Sequence, residues 1–185
     1  MWALVEDNAI TKIINQPKGM VIGDIRYSRK IFELWSEEEL NNVGLYSVIF
    51  DDSNKRNEEF YINTNPSFNY ADGQVTASYG SATGKEIDDV TIDGVTTKGL
   101  KTIKKEIVKK QADTELSKTD WYVVRKADDG TLIPSAITEH RTAVRNKSNE
   151  METAINNALD IDALASLYIY TDGERPLGEF PILEI

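Results

Sequence analysis

Two different spacings of apolar residues divide the chain. Between residues 2 and 79, apolar and polar residues tend to alternate, which is typical of β-strands that bury one face. From Gly99 onwards, apolar residues recur every three or four positions, which is typical of amphipathic helices. The pattern predicts an α+β fold with four segments: a β-rich N-terminal domain (1–79), a linker (80–98), a helical domain (99–170) and an irregular C-terminal tail (171–185).

Turn residues separate the predicted strands of the N-terminal half. Asp7-Asn8 and Asp72-Gly73 each lie between apolar runs, so Trp2–Ile14 and Ser67–Tyr79 are predicted to be hairpins. A third small hairpin within the linker is predicted around Asp93-Gly94. Further extended segments are predicted at Met20–Ile25, Tyr27–Leu34, Leu45–Phe50 (as a buried strand) and Phe60–Ile62.

One short helix is predicted inside the β-rich half. Ser36 can accept a hydrogen bond from the helix start while Glu39 reaches back, which is the capping-box pattern. Gly44 is expected to end this helix in the left-handed conformation.

The helical domain is predicted to be a helical hairpin with an additional short helix. Leu100, Ile103 and Ile107 form the apolar stripe of a helix that ends near Ser117–Lys118, and Val108 and Ala112 lie beside this stripe. A second long helix runs from Ser135 to about Ala158, and packing of the two is favoured over a coiled coil between copies. Asp160 is expected to cap the short third helix, whereas Trp121–Val124 is interpreted as an apolar insert. The tail is expected to pack on this chain or on a partner through Phe180, Ile182, Leu183 and Ile185.

Composition narrows the function classes. The chain of 185 residues has no cysteine and one histidine, His140, which excludes disulfides, thiolate metal sites and a histidine-rich metal site. The formal net charge of -10 argues against nucleic-acid binding. No apolar run approaches the roughly 20 residues of a membrane span, and the acidic N-terminus is unlike a signal peptide. We therefore expect no cofactor, no nucleic-acid partner and no membrane partner.

Candidate chemistry is sparse. Gly80–Lys85 has three residues between its glycines where a phosphate-binding loop needs four, and an acidic residue follows the lysine. The aspartates near Gly94 lack the spacing of a calcium loop. No nucleophile, base and orienting group can be assembled, so the protein is predicted not to be an enzyme.

Lysines on the first long helix offer a candidate contact surface. Lys101, Lys104 and Lys105 lie within one turn and are candidates for binding an acidic partner, the alternative being a solvated helix face. In the tail, Phe180 and Ile182 are candidates for an apolar partner contact.

A resemblance adds to these inferences. The elements Leu116–Trp121 (LSKTDW), Ile133-Pro134 and His140–Arg145 (HRTAVR) resemble the C-terminal region of bacteriophage tail fibre assembly proteins, which are tail assembly chaperone-like, and of some small tail fibre proteins. His140 stands where that pattern has an aromatic residue. The segments WALVEDNAITKII, LWSEEELNNVGLYSVIFDDSN and FYINTNPSFNYADGQVTASYG are similar to proteins of marine and cyanobacterial phages.

The resemblance implies a noncatalytic structural protein of the phage tail, in the virion, associated with the fibre or baseplate. Such a protein would contact other tail proteins and could form homo-oligomers. The alternative is a fibre assembly chaperone, present in the host cytoplasm and absent from the mature virion. A third hypothesis, a glycan-binding tip, depends on the rings of Phe68, Tyr70 and Tyr79.

The shared motif also has a physical interpretation as a clasp between two helices. Asp120 is expected to cap a helix or to pair with Arg141 or Arg145. Trp121 is expected to lie as a wedge between the two long helices, so that its loss would lower the melting temperature strongly.

Overall fold

The computed structural model describes residues 1–183, so the expected contact of Ile185 lies outside the described residues. The protein contains both sheets and helices, which confirms the α+β class. It divides into two compact units, and the division falls between Thr83 and Gly84. Residues 84–98, predicted to be linker, therefore begin the second unit.

The first unit is mainly β-structure. Its elements, in chain order, are β1 (Trp2–Glu6), β2 (Ala9–Ile14), β3 (Met20–Ile22), β4 (Ile25–Tyr27), α1 (Ile31–Leu34), α2 (Glu37–Asn42), β5 (Leu45–Asp51), β6 (Tyr61–Ile62), β7 (Ser67–Ala71) and β8 (Gln74–Ser78). A two-residue strand, β9 (Thr83–Gly84), lies at the division.

Five of these strands form one curved sheet in the order β2-β1-β5-β8-β7. All neighbours are antiparallel except β5 and β8, which are parallel. The edge strands β2 and β7 also approach each other, so the sheet curls towards a closed barrel. Ala3, Val5 and Val75 are buried on the concave face, where the partly buried Tyr46 and Tyr70 pack against them.

The convex face carries the larger core of the unit. Leu4, Ile14 and Leu45 project from the sheet and pack with Ile31 of α1 and Leu40 of α2. The hairpin β3–β4 covers the same core through Met20, Ile22 and Tyr27.

The local predictions for this unit are largely confirmed. Both hairpins form, with positive φ at Asp7 and Asn8 and at the Asp72-Gly73 turn. The capping box of α2 is present in both directions. Gly44 has a φ of 82°, and a Cβ there would lie 2.6 Å from the Val5 carbonyl oxygen, so both conformation and space require glycine.

Three strand predictions in this unit are wrong in part. Met20–Ile25 is not one extended segment, because a turn at Gly23-Asp24 separates β3 from β4. Tyr27–Leu34 is not one extended segment, because β4 ends at Tyr27 and Ile31–Leu34 forms α1. Leu45–Phe50 is a strand, but only Leu45 is buried, and Ile49 and Phe50 are exposed. The extended backbone is thus set by pairing with β1 and β8 rather than by burial of the whole strand.

The second unit begins with a hairpin and continues with helices. Its elements are β10 (Val90–Ile92), β11 (Val95–Thr97), α3 (Leu100–Ser117), α4 (Asp120–Asp129), α5 (Ser135–Asn157) and α6 (Ile161–Ser166). Helices α3 and α5 pack along each other, and Asp160 caps α6 as predicted. No helix within residues 1–183 is long and apolar enough to span a membrane.

The stripe of α3 differs from the predicted one. The buried residues are Leu100, Lys104, Val108 and Ala112, which recur every four positions. Val108 and Ala112, predicted to lie beside the stripe, are part of it, whereas Ile103 and Ile107, predicted to lie in it, are partly exposed. The helix is thus rotated relative to the prediction, and the aliphatic part of a lysine fills a core position.

The Trp121–Val124 insert is helical, because it forms the first part of α4. This helix ends at Gly130, whose φ of 79° is the left-handed conformation of a helix C-terminus. As far as Leu183, the tail after α6 contains a single β-bridge, between Thr171 and Glu174, and is otherwise irregular as predicted.

The first turn of α3 is held by the segment before the hairpin. Leu100 N donates to the Glu86 carbonyl (3.0 Å), and Gly99 N donates to Asp89 Oδ1 (2.8 Å). A Cβ on Gly99 would lie 2.3 Å from the backbone of Asp88, so only glycine permits this approach. These bonds satisfy backbone N–H groups that a helix start leaves without partners.

Candidate functional site

Arg141 of α5 lies at the junction between α3 and α4. Its Nη1 atom is 2.7 Å from the Leu116 carbonyl oxygen, 2.7 Å from Thr119 Oγ1 and 2.8 Å from Asp120 Oδ1. The arginine is buried, whereas the Asp120 side chain is 56% exposed. One guanidinium therefore connects the end of α3, the residue between the helices and the start of α4. We call this group the Arg141 junction.

Helix electrostatics favour this arrangement. Leu116 belongs to the last turn of α3, where carbonyl groups lack helical partners and attract cations. Asp120 is the first residue of α4, where a carboxylate is favoured by the positive end of the helix dipole. Arg141 therefore contacts the partial negative charge of the Leu116 carbonyl at the end of α3 and the full negative charge of Asp120 at the start of α4.

Thr119 is the residue of the junction that the sequence reasoning missed. It is 1% exposed, and both its backbone N–H and its hydroxyl donate to the Leu116 carbonyl at 3.0 Å. Its hydroxyl oxygen also accepts from Arg141. A hydroxyl residue between two predicted helices is the signal that could have identified it.

Trp121 does not lie between the long helices. It is 52% exposed, so the expectation of a buried wedge is replaced by a surface position. Its ring stacks on Tyr122 with centroids 3.9 Å apart, and the Arg125 guanidinium lies 4.6 Å from the Trp121 ring centroid. The physical reason is its place in α4, which buries none of its residues.

Arg145, the second arginine of the motif, stays outside the junction. It is exposed, and its one hydrogen bond within residues 1–183 is a long contact of 3.5 Å from Nη1 to the Arg141 carbonyl. Of the two arginines considered as partners for Asp120, the structure places only Arg141 there.

The three candidate lysines of α3 are engaged inside the second unit. Lys101 Nζ lies 3.1 Å from Asp88 Oδ1, and Lys105 Nζ donates to Asn156 Oδ1 at 2.8 Å. Lys104 is 3% exposed, with Nζ 4.5 Å from the ring centroid of Tyr168. A buried lysine cannot contact an acidic partner, so the structure contradicts that role for Lys104.

The tail runs beside α5. Phe180 is partly buried, and both Phe180 and Ile182 line a cavity of about 340 Å³ beside Glu115 and Lys118. Ile182 is almost fully exposed. The two residues proposed for an apolar contact therefore differ, since only Ile182 is freely presented to solvent.

His140 is a buried residue of α5, and its Nε2 atom has no hydrogen-bond partner among the described residues. The described residues contain no group of three or more His, Cys, Asp or Glu side chains that could hold a metal ion.

The rings considered for glycan binding do not form one platform. The Tyr70 and Tyr46 hydroxyls are hydrogen-bonded at 3.1 Å on the concave side of the sheet, and this bond is the main cause of the raised pKa of Tyr46. Phe68 is partly buried, and Tyr79 lies under Lys55 at 5.4 Å.

Comparisons of the chain with protein-family models, with curated proteins and with solved structures give no match. The geometry and the motif resemblance are therefore the basis for a functional proposal.

Proposed function

We propose that the protein is a noncatalytic structural component of a phage tail, associated with the fibre or baseplate and acting through protein–protein contacts. The resemblance of the Leu116–Arg145 region to tail fibre and tail fibre assembly proteins supports the assignment to a tail. The exposure of apolar side chains on α4 is the observation that supports a role through protein–protein contacts.

Helix α4 has ten residues and no buried side chain. Isolated helices of this length are marginal in water, and most helices gain their stability by packing an apolar face. Trp121, Val123 and Val124 are nevertheless exposed. Exposed aromatic and aliphatic side chains on one short element are typical of a surface that a partner covers. The Arg141 junction would hold this surface in a defined orientation before the partner arrives.

Mass spectrometry of purified virions tests the tail assignment. A stoichiometric signal from this chain in intact particles is expected for a structural component. Absence from particles, combined with presence in the infected cell, would instead support the assembly chaperone.

Substitution on α4 tests the contact. Val124→Ala is expected to reduce incorporation of the chain into tails without changing its folded stability, because Val124 is exposed. Leu132→Ala is the matched control, since Leu132 is also exposed but lies in the loop after α4. Equal incorporation of the two variants would contradict a role for the α4 surface.

A further inference from the structure

The C-terminal tail has an anchored part that is centred on Arg175. The guanidinium Nε lies 2.8 Å from Glu179 Oε1 and 3.1 Å from the Gly178 carbonyl oxygen, and Nη2 lies 2.9 Å from Glu179 Oε2. Leu177 is 3% exposed, and its N–H donates to the Leu167 carbonyl at 3.0 Å. This part of the tail is therefore fixed to the helical unit by packing and by hydrogen bonds.

The segment Phe180–Leu183, which we call the strap, is held much less firmly. Within residues 1–183, none of its backbone or side-chain groups makes a hydrogen bond. Three cavities of about 320, 340 and 410 Å³ adjoin it, and their other walls come from α5 and from the end of α3. Close packing normally leaves few such voids, so little attraction opposes removal of the strap from the helices.

One of these cavities brings the strap next to His140 of α5. Pro181, Ile182 and Leu183 line it together with the histidine. Ile182 is 87% exposed, whereas Pro181 and Leu183 are partly buried, which is the alternation of an extended segment with one side against a surface. Pro181 and Leu183 are therefore the strap residues that face the helices.

The His140 imidazole is the polar group of this site. It is 8% exposed, and its Nε2 atom has no hydrogen-bond partner within residues 1–183. A buried polar atom without a partner destabilises the arrangement that leaves it so. The side chains of Pro181 and Leu183 contain no donor or acceptor, so the strap occupies the site without satisfying the imidazole.

We propose that this site on α5 binds an extended, mainly apolar segment of a neighbouring tail protein, which displaces the strap and supplies a serine or threonine hydroxyl to His140 Nε2. The strap shows which kind of segment the site accepts, and the unpartnered Nε2 shows which group the strap lacks. This inference rests on the proposed function, because the partner is taken from the tail, and it adds the chemistry of that partner.

The surroundings favour a neutral hydroxyl over a charged side chain. Glu115 and Lys118 already form an ion pair beside the strap, so they offer no net attraction to a charged ligand. Glu139 lines the same cavity as His140 and repels a carboxylate. Burial of a charge is also unfavourable, whereas a hydroxyl can donate or accept and therefore suits either neutral tautomer of the imidazole.

A second copy of the chain is a poorer occupant of the site. Its strap has the same sequence and would again place proline and leucine against the imidazole, so Nε2 would stay without a partner. The unpartnered nitrogen therefore distinguishes a different protein from an exchange of tails between copies.

Hydrogen exchange of the full chain, followed by NMR, tests whether the strap can leave. The amides of Ile182 and Leu183 are expected to exchange at least about tenfold faster than the amide of Leu177, which is buried and hydrogen-bonded. Equal protection of the three amides would overturn the displacement of the strap.

Binding of synthetic peptides to the full chain tests the chemistry of the partner. The matched pair is Glu-Phe-Pro-Ile-Thr and Glu-Phe-Pro-Ile-Val, which follow residues 179–182 and differ only in a hydroxyl at the position of Leu183. His140 is the single histidine of the chain, so its imidazole NMR signals report occupation of the site directly. The threonine peptide is expected to bind about fivefold more tightly, as one added hydrogen bond predicts.

Variants of His140 separate the hydrogen bond from general affinity. His140→Phe keeps a ring and loses the nitrogen, so it is expected to bind both peptides equally, with the amide signals of Ala136 and Ala143 as the readout. His140→Gln keeps a donor and an acceptor, and it is expected to retain a preference for the threonine peptide. An equal preference for threonine in His140→Phe would overturn the proposal.

Two further outcomes would also overturn it. The first is absence of binding of the threonine peptide up to about 5 mM. The second is tighter binding of the chain's own sequence, Glu-Phe-Pro-Ile-Leu, which would indicate exchange of straps between copies. All of these measurements use the purified chain, so their failure is distinguishable from failure of the tail assignment, which virion mass spectrometry tests.

Discussion

Replacing Arg141 with methionine tests whether one guanidinium holds α3 and α4 together. Methionine keeps most of the aliphatic length and removes the charged donors. Hydrogen bonds from charged donors contribute about 1.5–3 kcal/mol each, and Arg141 makes two to buried or partly buried acceptors. The ion pair with Asp120 adds less than about 1 kcal/mol, because that carboxylate is largely exposed and screened.

We expect the loss of folding stability to lie at the lower end of the sum of these three contributions. After the substitution, the Leu116 carbonyl still accepts from the N–H and the hydroxyl of Thr119. The buried Thr119 hydroxyl loses the donor from Arg141 but still donates to the Leu116 carbonyl, so neither group is left without any hydrogen bond and the largest penalty is avoided. We expect the free energy of unfolding of the helical unit to fall by about 3 kcal/mol.

Arg145→Met is the matched control, since it removes the same side chain one helical turn later, at an exposed position. We expect a change within about 0.5 kcal/mol. Urea unfolding followed by circular dichroism at 222 nm reports on the helices. If the two variants differ by less than about 0.5 kcal/mol, Arg141 does not stabilise the junction in the way described here.

A double-mutant cycle separates the pairwise contact from general destabilisation. Thr119→Val removes the hydroxyl that accepts from Arg141 and keeps the shape of the side chain. We expect a coupling free energy of about 1–2 kcal/mol between Thr119→Val and Arg141→Met. The same cycle with Arg145→Met should give a coupling near zero.

Two further predictions concern the rest of the helical unit. The hydrogen bond from Gly99 N–H, with smaller contributions from Thr102 and nearby lysines, holds the pKa of Asp89 below its ordinary value. The Asp89 carboxylate therefore stabilises the fold above about pH 4. This stabilisation is lost as the pH falls through the lowered pKa. The stability gap between wild type and Asp89→Asn should therefore shrink on acidification, and a gap that is constant in urea titrations from neutral pH down to about pH 2 would contradict this. Trp121→Ala should lower the free energy of unfolding by only about 1 kcal/mol, because it removes stacking at the surface. A loss larger than that of Arg141→Met in the same titration would support the wedge interpretation instead.

Features decided within a few residues could be predicted from the sequence. The turns at Asp7-Asn8, Asp72-Gly73 and Asp93-Gly94 need positive φ, and Asp, Asn and Gly supply it locally. The capping box of α2 is likewise closed between Ser36 and Glu39.

Features decided by distant contacts could not be predicted. Trp121–Val124 is rich in aromatic and β-branched residues, which favour strands, yet the segment is helical and its helix starts at the Arg141 junction. Lys104 lies in a core stripe because its ammonium group makes a cation–π contact with the ring of Tyr168, which is far along the chain.

The Arg141 junction likewise has features that could be predicted from nearby residues and features that depend on distant contacts. The charges of Asp120, Arg141 and Arg145 indicated a link between helices, but the choice of arginine depends on the register of α5 against α3. The hydroxyl of Thr119 between two predicted helices is a local signal, but its burial and its bond with Arg141 depend on α5, which lies far from it in the chain.

The parallel pairing of β5 with β8 has a consequence for how the protein folds. These strands are adjacent in the sheet, but the hairpin partner of β8, together with a long loop, lies between them in the chain. Closing that loop costs entropy before the pairing returns any stabilisation, and such non-local contacts slow folding. Helices α3 and α4, by contrast, form from local contacts. We therefore expect the N-terminal unit, although synthesised first, to reach its native state later than helices α3 and α4. Until its sheet has formed, its strand edges are exposed, so the new chain is prone to aggregate during that time.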